Sequence, residues 1–134
     1  MSDPVSYVNT VAGVVNPTGS TVAGTYYKVS SGNGSLSNLP DRFWLRGLIM
    51  YLGYGGASTS EDAGQLDVYD GDTTVSPVIL CSMGGPFETS GLSLSDYSNV
   101  FSFKSFYIPV ENGLYIRPTI NGLADNVRMT VFYG

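Results

Sequence analysis

The sequence predicts an all-β fold: a single jelly-roll-like antiparallel β-sandwich of about eight strands, with little or no helix. Three observations lead there. No long window places apolar residues at the i, i+3, i+4, i+7 spacing of a helix face. Val, Ile, Thr, Tyr and Phe, which suit a pleated and half-buried surface, recur in short runs. Turn signals separate the runs, with 17 glycines and 7 prolines in 134 residues, often beside Asn or Asp.

The elements follow in order. Residues 6–15 (SYVNTVAGVV) form a first strand, closed by a turn at Asn16-Pro17-Thr18-Gly19. A second strand is expected over 25–30, then a polar loop, SSGNGSLSN, ending at Leu39-Pro40-Asp41. Residues 42–54 are the longest apolar strand. Trp44, Leu48, Met50 and Leu52 share one parity; Phe43, Leu45, Ile49 and Tyr51 share the other. Both faces are apolar, so a central strand buried on both sides, in part by a partner, is expected, with Trp44 in the core. A loop spans 55–64. Residues 65–70 alternate, with Leu66 and Val68 inward and Asp67 and Tyr69 outward, and Asp70-Gly71 is a hairpin-turn dipeptide. A strand within 75–83 is broken by Gly84-Gly85-Pro86, and residues 84–99 form a Ser/Gly-rich connection. Phe101 and Phe103 alternate with polar neighbours, and Phe106, Ile108 and Val110 alternate with Tyr107 and Pro109. Glu111-Asn112-Gly113 predicts a hairpin returning through 114–117, and Asn121-Gly122 turns again. The last strand, 127–133, sets Val127, Met129, Val131 and Tyr133 on one face. Residues 41–134 make the sandwich domain. Residues 1–40 are its first strands or an N-terminal arm reaching a neighbouring subunit; the extended, Thr-rich character favours the arm.

Charge and composition narrow the function. The net charge is -5 with only 6 Lys plus Arg, so no basic stripe is available for nucleic acid or an anionic membrane. No apolar run approaches the roughly 18 residues of a spanning helix, and Met1-Ser2-Asp3-Pro4 lacks the apolar stretch of a signal peptide. There is no histidine, which removes Ser-His and Cys-His catalysis and every His-containing zinc site. Cys81 is the only cysteine, so no disulfide forms within the chain. It sits in Val78-Ile79-Leu80-Cys81 with no basic neighbour, as a small buried hydrophobe. A non-enzymatic domain without cofactor or metal is expected.

Other constellations resolve into turns. Asp67, Asp70 and Asp72 are close in sequence but lack the Asp-x-Asp-x-Asp-Gly order of a calcium loop. Asp67, Glu88, Asp96 and Glu111 could in principle form a glycosidase pair, but they stand in polar or turn contexts. Gly53-Tyr54-Gly55-Gly56 precedes no helix and so lacks the anion site of a phosphate loop. Asn33-Gly34-Ser35 has the form of a glycosylation sequon, without a secretory context. The 10 tyrosines exceed what one small core absorbs, and Tyr favours interfaces. The candidate interface residues are Tyr7, Val8, Tyr26, Tyr27, Tyr107 and Tyr115. Sugar binding would use the same kinds of side chain.

One ordered set of segments goes further: the apolar strand 42–54, Val68-Tyr69-Asp70-Gly71, the strand through Ile79-Leu80, the aromatic strand 101–106, Asn112-Gly113-Leu114-Tyr115-Ile116, and Thr130-Val131-Phe132-Tyr133. Over residues 42–133 it resembles the small β-sandwich structural proteins of tailed bacteriophage virions. The resemblance implies a capsid decoration (cement) protein, commonly a trimer, bound to the major capsid protein on the exterior of the virion. Head fibres and neck or tail components, with carbohydrate contact through exposed Tyr or Trp, are the alternative within that family. A free-standing carbohydrate-binding module is the alternative outside it.

Overall fold

The computed structural model describes residues 8–16, 22–53, 63–86, 97–102, 108–119 and 126–134. Among them run nine strands: β1 (Asn9–Val14), β2 (Tyr27–Lys28), β3 (Phe43–Gly53), β4 (Ala63–Asp70), β5 (Val78–Pro86), β6 (Tyr97–Ser102), β7 (Ile108–Val110), β8 (Leu114–Pro118) and β9 (Asn126–Tyr133). Every pairing is antiparallel. One sheet has the order β1-β9-β3-β6, and β7 pairs with β3 as well. The other has the order β2-β8-β4-β5. Val11, Leu45, Leu48, Met50, Val127 and Val131 of the first sheet share one core with Leu66, Val68, Leu114 and Ile116 of the second. The chain is an all-β antiparallel sandwich. Each such side chain, fully buried, contributes about 1.5–3 kcal/mol.

Alternation explains the strands that matched their sequence pattern. Val127, Met129 and Val131 of β9 are buried while Arg128 is exposed. Tyr133 ends that face with its ring edge-on to Phe43, centroids 5.6 Å apart. Leu66 and Val68 point into the core from β4.

The longest strand differs from expectation. Phe43 and Leu45 are buried, and so are Leu48 and Met50, while Trp44 is 51% exposed. The register against β9 slips between Leu45 and Gly47. This bulge uses Arg46 as an extra residue and switches the inward parity from odd to even. Trp44 is therefore outside, not in the core. Within the chain, residues 43–50 bury one inward face, which the bulge interrupts.

The N-terminal stretch is part of the first sheet. Asn9 to Val14 pair with Tyr133 to Arg128 in unbroken register, and Val11 and Val15 join the core. Over residues 9–14 this stretch is a strand of the sheet. Residues 1–7 lie outside the described residues. Val29, Leu36 and Leu39 belong to the same core, so residues on both sides of position 40 pack together.

The expected polar loop holds two short 3₁₀ helices, Val29–Ser31 and Gly34–Asn38, and Leu36 is wholly buried. Its polar residues cover the free edge of β1. The Val14 N–H donates to Asn33 Oδ1 at 2.7 Å, and the Ala12 N–H donates to Ser35 Oγ at 2.8 Å. The Asn33 N–H donates to the Val14 carbonyl at 2.9 Å. Satisfying an edge with side chains blocks strand addition there. The approach is close enough that a Cβ on Gly13 would lie 2.1 Å from the Asn33 carbonyl oxygen.

Neither expected hairpin turn joins adjacent strands tightly. Beyond Asp70-Gly71 the chain loops until β5 begins at Val78. Beyond β7, Glu111-Asn112-Gly113 crosses between sheets, because β7 pairs with β3 whereas β8 pairs with β2 and β4. The two turns lock together. Asp70 Oδ1 accepts the Asn112 N–H at 2.8 Å, both Asp70 oxygens accept the Glu111 N–H at 3.1 Å, and the Gly71 N–H donates to the Gly113 carbonyl at 2.8 Å. Gly71 and Gly113 take positive φ, 84° and 88°, which glycine adopts without steric cost. β5 runs through Gly84-Gly85-Pro86 to its end; it is an edge strand, where proline is tolerated.

Candidate functional site

Two exterior patches and one sheet edge combine aromatic, apolar and charged side chains. The first patch lies on the outer face of the second sheet. Tyr69 of β4 and Arg117 of β8 alternate with inward-facing core residues, and Asp67 stands opposite Arg117 in register. Tyr26 meets Tyr69 edge-on, centroids 5.2 Å apart, and the Arg117 guanidinium sits 5.7 Å from the Tyr26 ring centroid. Ser82 Oγ donates to Asp67 Oδ1 at 2.6 Å. Asp67 was expected to face outward among polar groups. It does lie on the outer face, but it is only 3% exposed, because the side chains of neighbouring strands cover it.

The second patch is a shallow cleft of about 270 Å³ where β3 begins, beside Arg42, Trp44, Pro109, Glu111 and Gly134. Its backbone is held firmly. Trp44 pairs with Pro109 across β3 and β7. Trp44 and Gly134 exchange N–H···O bonds of 3.0 and 3.3 Å. The Asp70 carboxylate fixes Glu111. Among the described residues, neither Arg42 nor Glu111 is tied into an ion pair.

The edge is β5, where Val78 is 59% and Ile79 51% exposed, next to exposed Val75. Among the described residues β5 is the last strand of its sheet, and an exposed apolar edge is a template for pairing with another chain.

The interface candidates do not converge on one spot. Val8 is exposed beside β1. Tyr26 and Tyr115 are half-buried on the second sheet, with Tyr115 opposite Tyr69. Tyr27 packs against the core, and its hydroxyl accepts the Val22 N–H at 2.8 Å. Tyr7 and Tyr107 lie outside the described residues, as do Glu88, Asp96, Phe103, Phe106 and the 54–56 and 121–122 glycine segments. The sequence pattern missed Trp44 as an exposed residue. The available signal was Gly47 inside an apolar run, since a glycine within a strand marks a bulge.

The carboxylates disperse. Asp67 binds Ser82, Asp70 holds the 111–113 turn, and Asp72 accepts the Thr74 hydroxyl at 2.6 Å and its N–H at 3.0 Å. The Thr74 bonds hold the Asp72 carboxyl below its ordinary value. Asp41, 2.9 Å from the Lys28 ammonium, raises that amine. Burial, and secondarily the Asp67 charge, push the Cys81 thiol up to about 11, far from the thiolate a nucleophile needs. Among the described residues no group of His, Cys, Asp and Glu gathers as a metal cradle.

No protein-family model matches the chain, and no curated protein matches it.

Proposed function

We propose that the chain is a structural protein of tailed-phage virions, a capsid decoration protein on the exterior of the shell with the major capsid protein as its partner. The strand order carries this reading. A β1-β9-β3-β6 sheet facing β2-β8-β4-β5 is compatible with a jelly roll, an architecture that recurs in viral capsid and lectin domains, and this supports the reading. The segments behind the sequence resemblance also act as one unit: Val68-Tyr69-Asp70-Gly71 and Asn112-Gly113-Leu114-Tyr115-Ile116 are bonded through Asp70 and Gly71.

The action is mechanical, not enzymatic. Trimers bridge neighbouring capsomers, each contact burying at least about 1,000 Å², and many copies on one shell add by multivalency. Binding only the assembled state stabilises it by mass action. The β5 edge and the tyrosine face of the second sheet offer the contact surface. The net charge of -5 keeps the free protein soluble and away from nucleic acid and anionic membranes.

The exposed Trp44 favours a second reading, a head-fibre, neck or tail component that touches a glycan. Copy number separates the two. Quantitative mass spectrometry of purified virions should find hundreds of copies in simple ratio to the major capsid protein. Rings of about five to a dozen copies would move the protein to a vertex, neck or tail, and absence from the particle would overturn both readings.

A further inference from the structure

We propose that the cleft beside Trp44 binds a single neutral pyranose ring. This deepens the glycan-contacting reading by naming its site and ligand class.

Three features of the cleft point to a sugar. The first is the exposed indole. A tryptophan offers a flat apolar face, and the C–H face of a pyranose is apolar in the same flat sense. Pro109, also exposed, extends that surface beside it. The second is the pair of charged heads. The Arg42 guanidinium only donates hydrogen bonds and the Glu111 carboxylate only accepts them. Sugar hydroxyls do both, so neighbouring hydroxyls on one ring can satisfy the two heads together. Glu111 and the net charge of -5 disfavour acidic sugars. The third is size. The cleft's roughly 270 Å³ falls below the range of about 300–1,000 Å³ typical of drug-sized ligands, which suits one ring rather than a buried oligosaccharide.

The backbone beneath the cleft is held in place, at Trp44 by Gly134 and Pro109 and at Glu111 by the Asp70 carboxylate.

Trp44 is the chain's only tryptophan, so its fluorescence reports this cleft alone. The full chain is titrated with neutral hexoses and N-acetylhexosamines, and with glucuronate and sialic acid as anionic comparators. A saturable change with a neutral sugar is expected, with half-saturation in the millimolar range, about where a single ring with few contacts falls. Arg42→Ala and Glu111→Gln keep the reporter and should each weaken binding about tenfold while leaving the unfolding midpoint unchanged. Trp44→Ala should abolish the saturation-transfer NMR signal of the bound sugar. The proposal is overturned if no neutral sugar gives a saturable change, or if binding is indifferent to Arg42 and Glu111. It is equally overturned if Trp44 fluorescence shifts with protein concentration in the absence of sugar, because a second copy then covers the cleft. Failure here leaves the virion assignment to the copy-number measurement.

Discussion

The two exterior patches are built from the same kinds of residue: an arginine, a carboxylate and aromatic rings. On the second sheet Asp67 is 3% exposed, whereas at the start of β3 Trp44 is 51% exposed. The cause lies in the neighbours. β4 runs between β8 and β5, so Asp67 has Arg117 and Ser82 opposite it on either side. Trp44 has Pro109 of a three-residue strand on one side and Gly134 on the other. Neither offers a long side chain to cover an indole. Cross-strand partners, not composition, decide whether an exterior polar-aromatic group becomes structure or remains open for binding.

The strongest test of that contrast removes one carboxylate from the closed patch. Asp67→Ala should cost about 1.5–3 kcal/mol, because a hydrogen bond to a charged and nearly buried acceptor is lost. Trp44→Ala should stay within about 0.5 kcal/mol, as a substitution at an exposed site does. Urea unfolding midpoints of both variants check this, and equal costs would remove the distinction. A smaller effect is expected at the junction that supports the open patch. Asp70→Ala leaves the Glu111 and Asn112 N–H groups without their acceptor and should cost about 1–2 kcal/mol. Amide exchange should quicken at residues 111–113 and not in β9; uniform protection there would show that the two turns hold without the carboxylate.

The mildest test uses pH. The folded Cys81 thiol lies at about 11 against an ordinary 9.0. Its contribution to stability is therefore full below pH 9.0 and is lost as pH rises towards about 11, since the unfolded chain releases the proton first. The raised Lys28 amine acts in the same direction, as its bond to Asp41 disappears once the ammonium deprotonates. Cys81→Ala should flatten the decline between pH 9 and 11 measured by urea midpoint. Because the Asp67 charge also raises the thiol, Asp67→Asn should let Cys81 alkylate at lower pH in the folded protein. An unchanged alkylation profile would remove that link between the closed patch and the core.

Most of the fold was legible where a strand's own alternation sufficed. β9 and the inward residues of β4 follow directly from period two, because successive side chains in a strand point to opposite faces. Trp44 was not legible in that way. Its parity matched Leu48 and Met50, and only the slip against β9 at Arg46 separates them. Asp67 was legible as an outer-face residue but not as a buried one, since its cover comes from strands distant in sequence.

The turns draw the final boundary. Asp70-Gly71 and Glu111-Asn112-Gly113 announce changes of direction by themselves, because glycine supplies the positive φ that other residues resist. Composition likewise determines that the chain carries no histidine, one cysteine and an acidic balance, whatever its fold. Tertiary structure alone decided that the second turn crosses between sheets instead of closing a hairpin, that residues 9–14 join β9, and that the lone tryptophan faces out. Local sequence sets the backbone angles and the faces of each strand. The identity of the neighbouring strand is a long-range choice, made when the two sheets bury their apolar faces against each other.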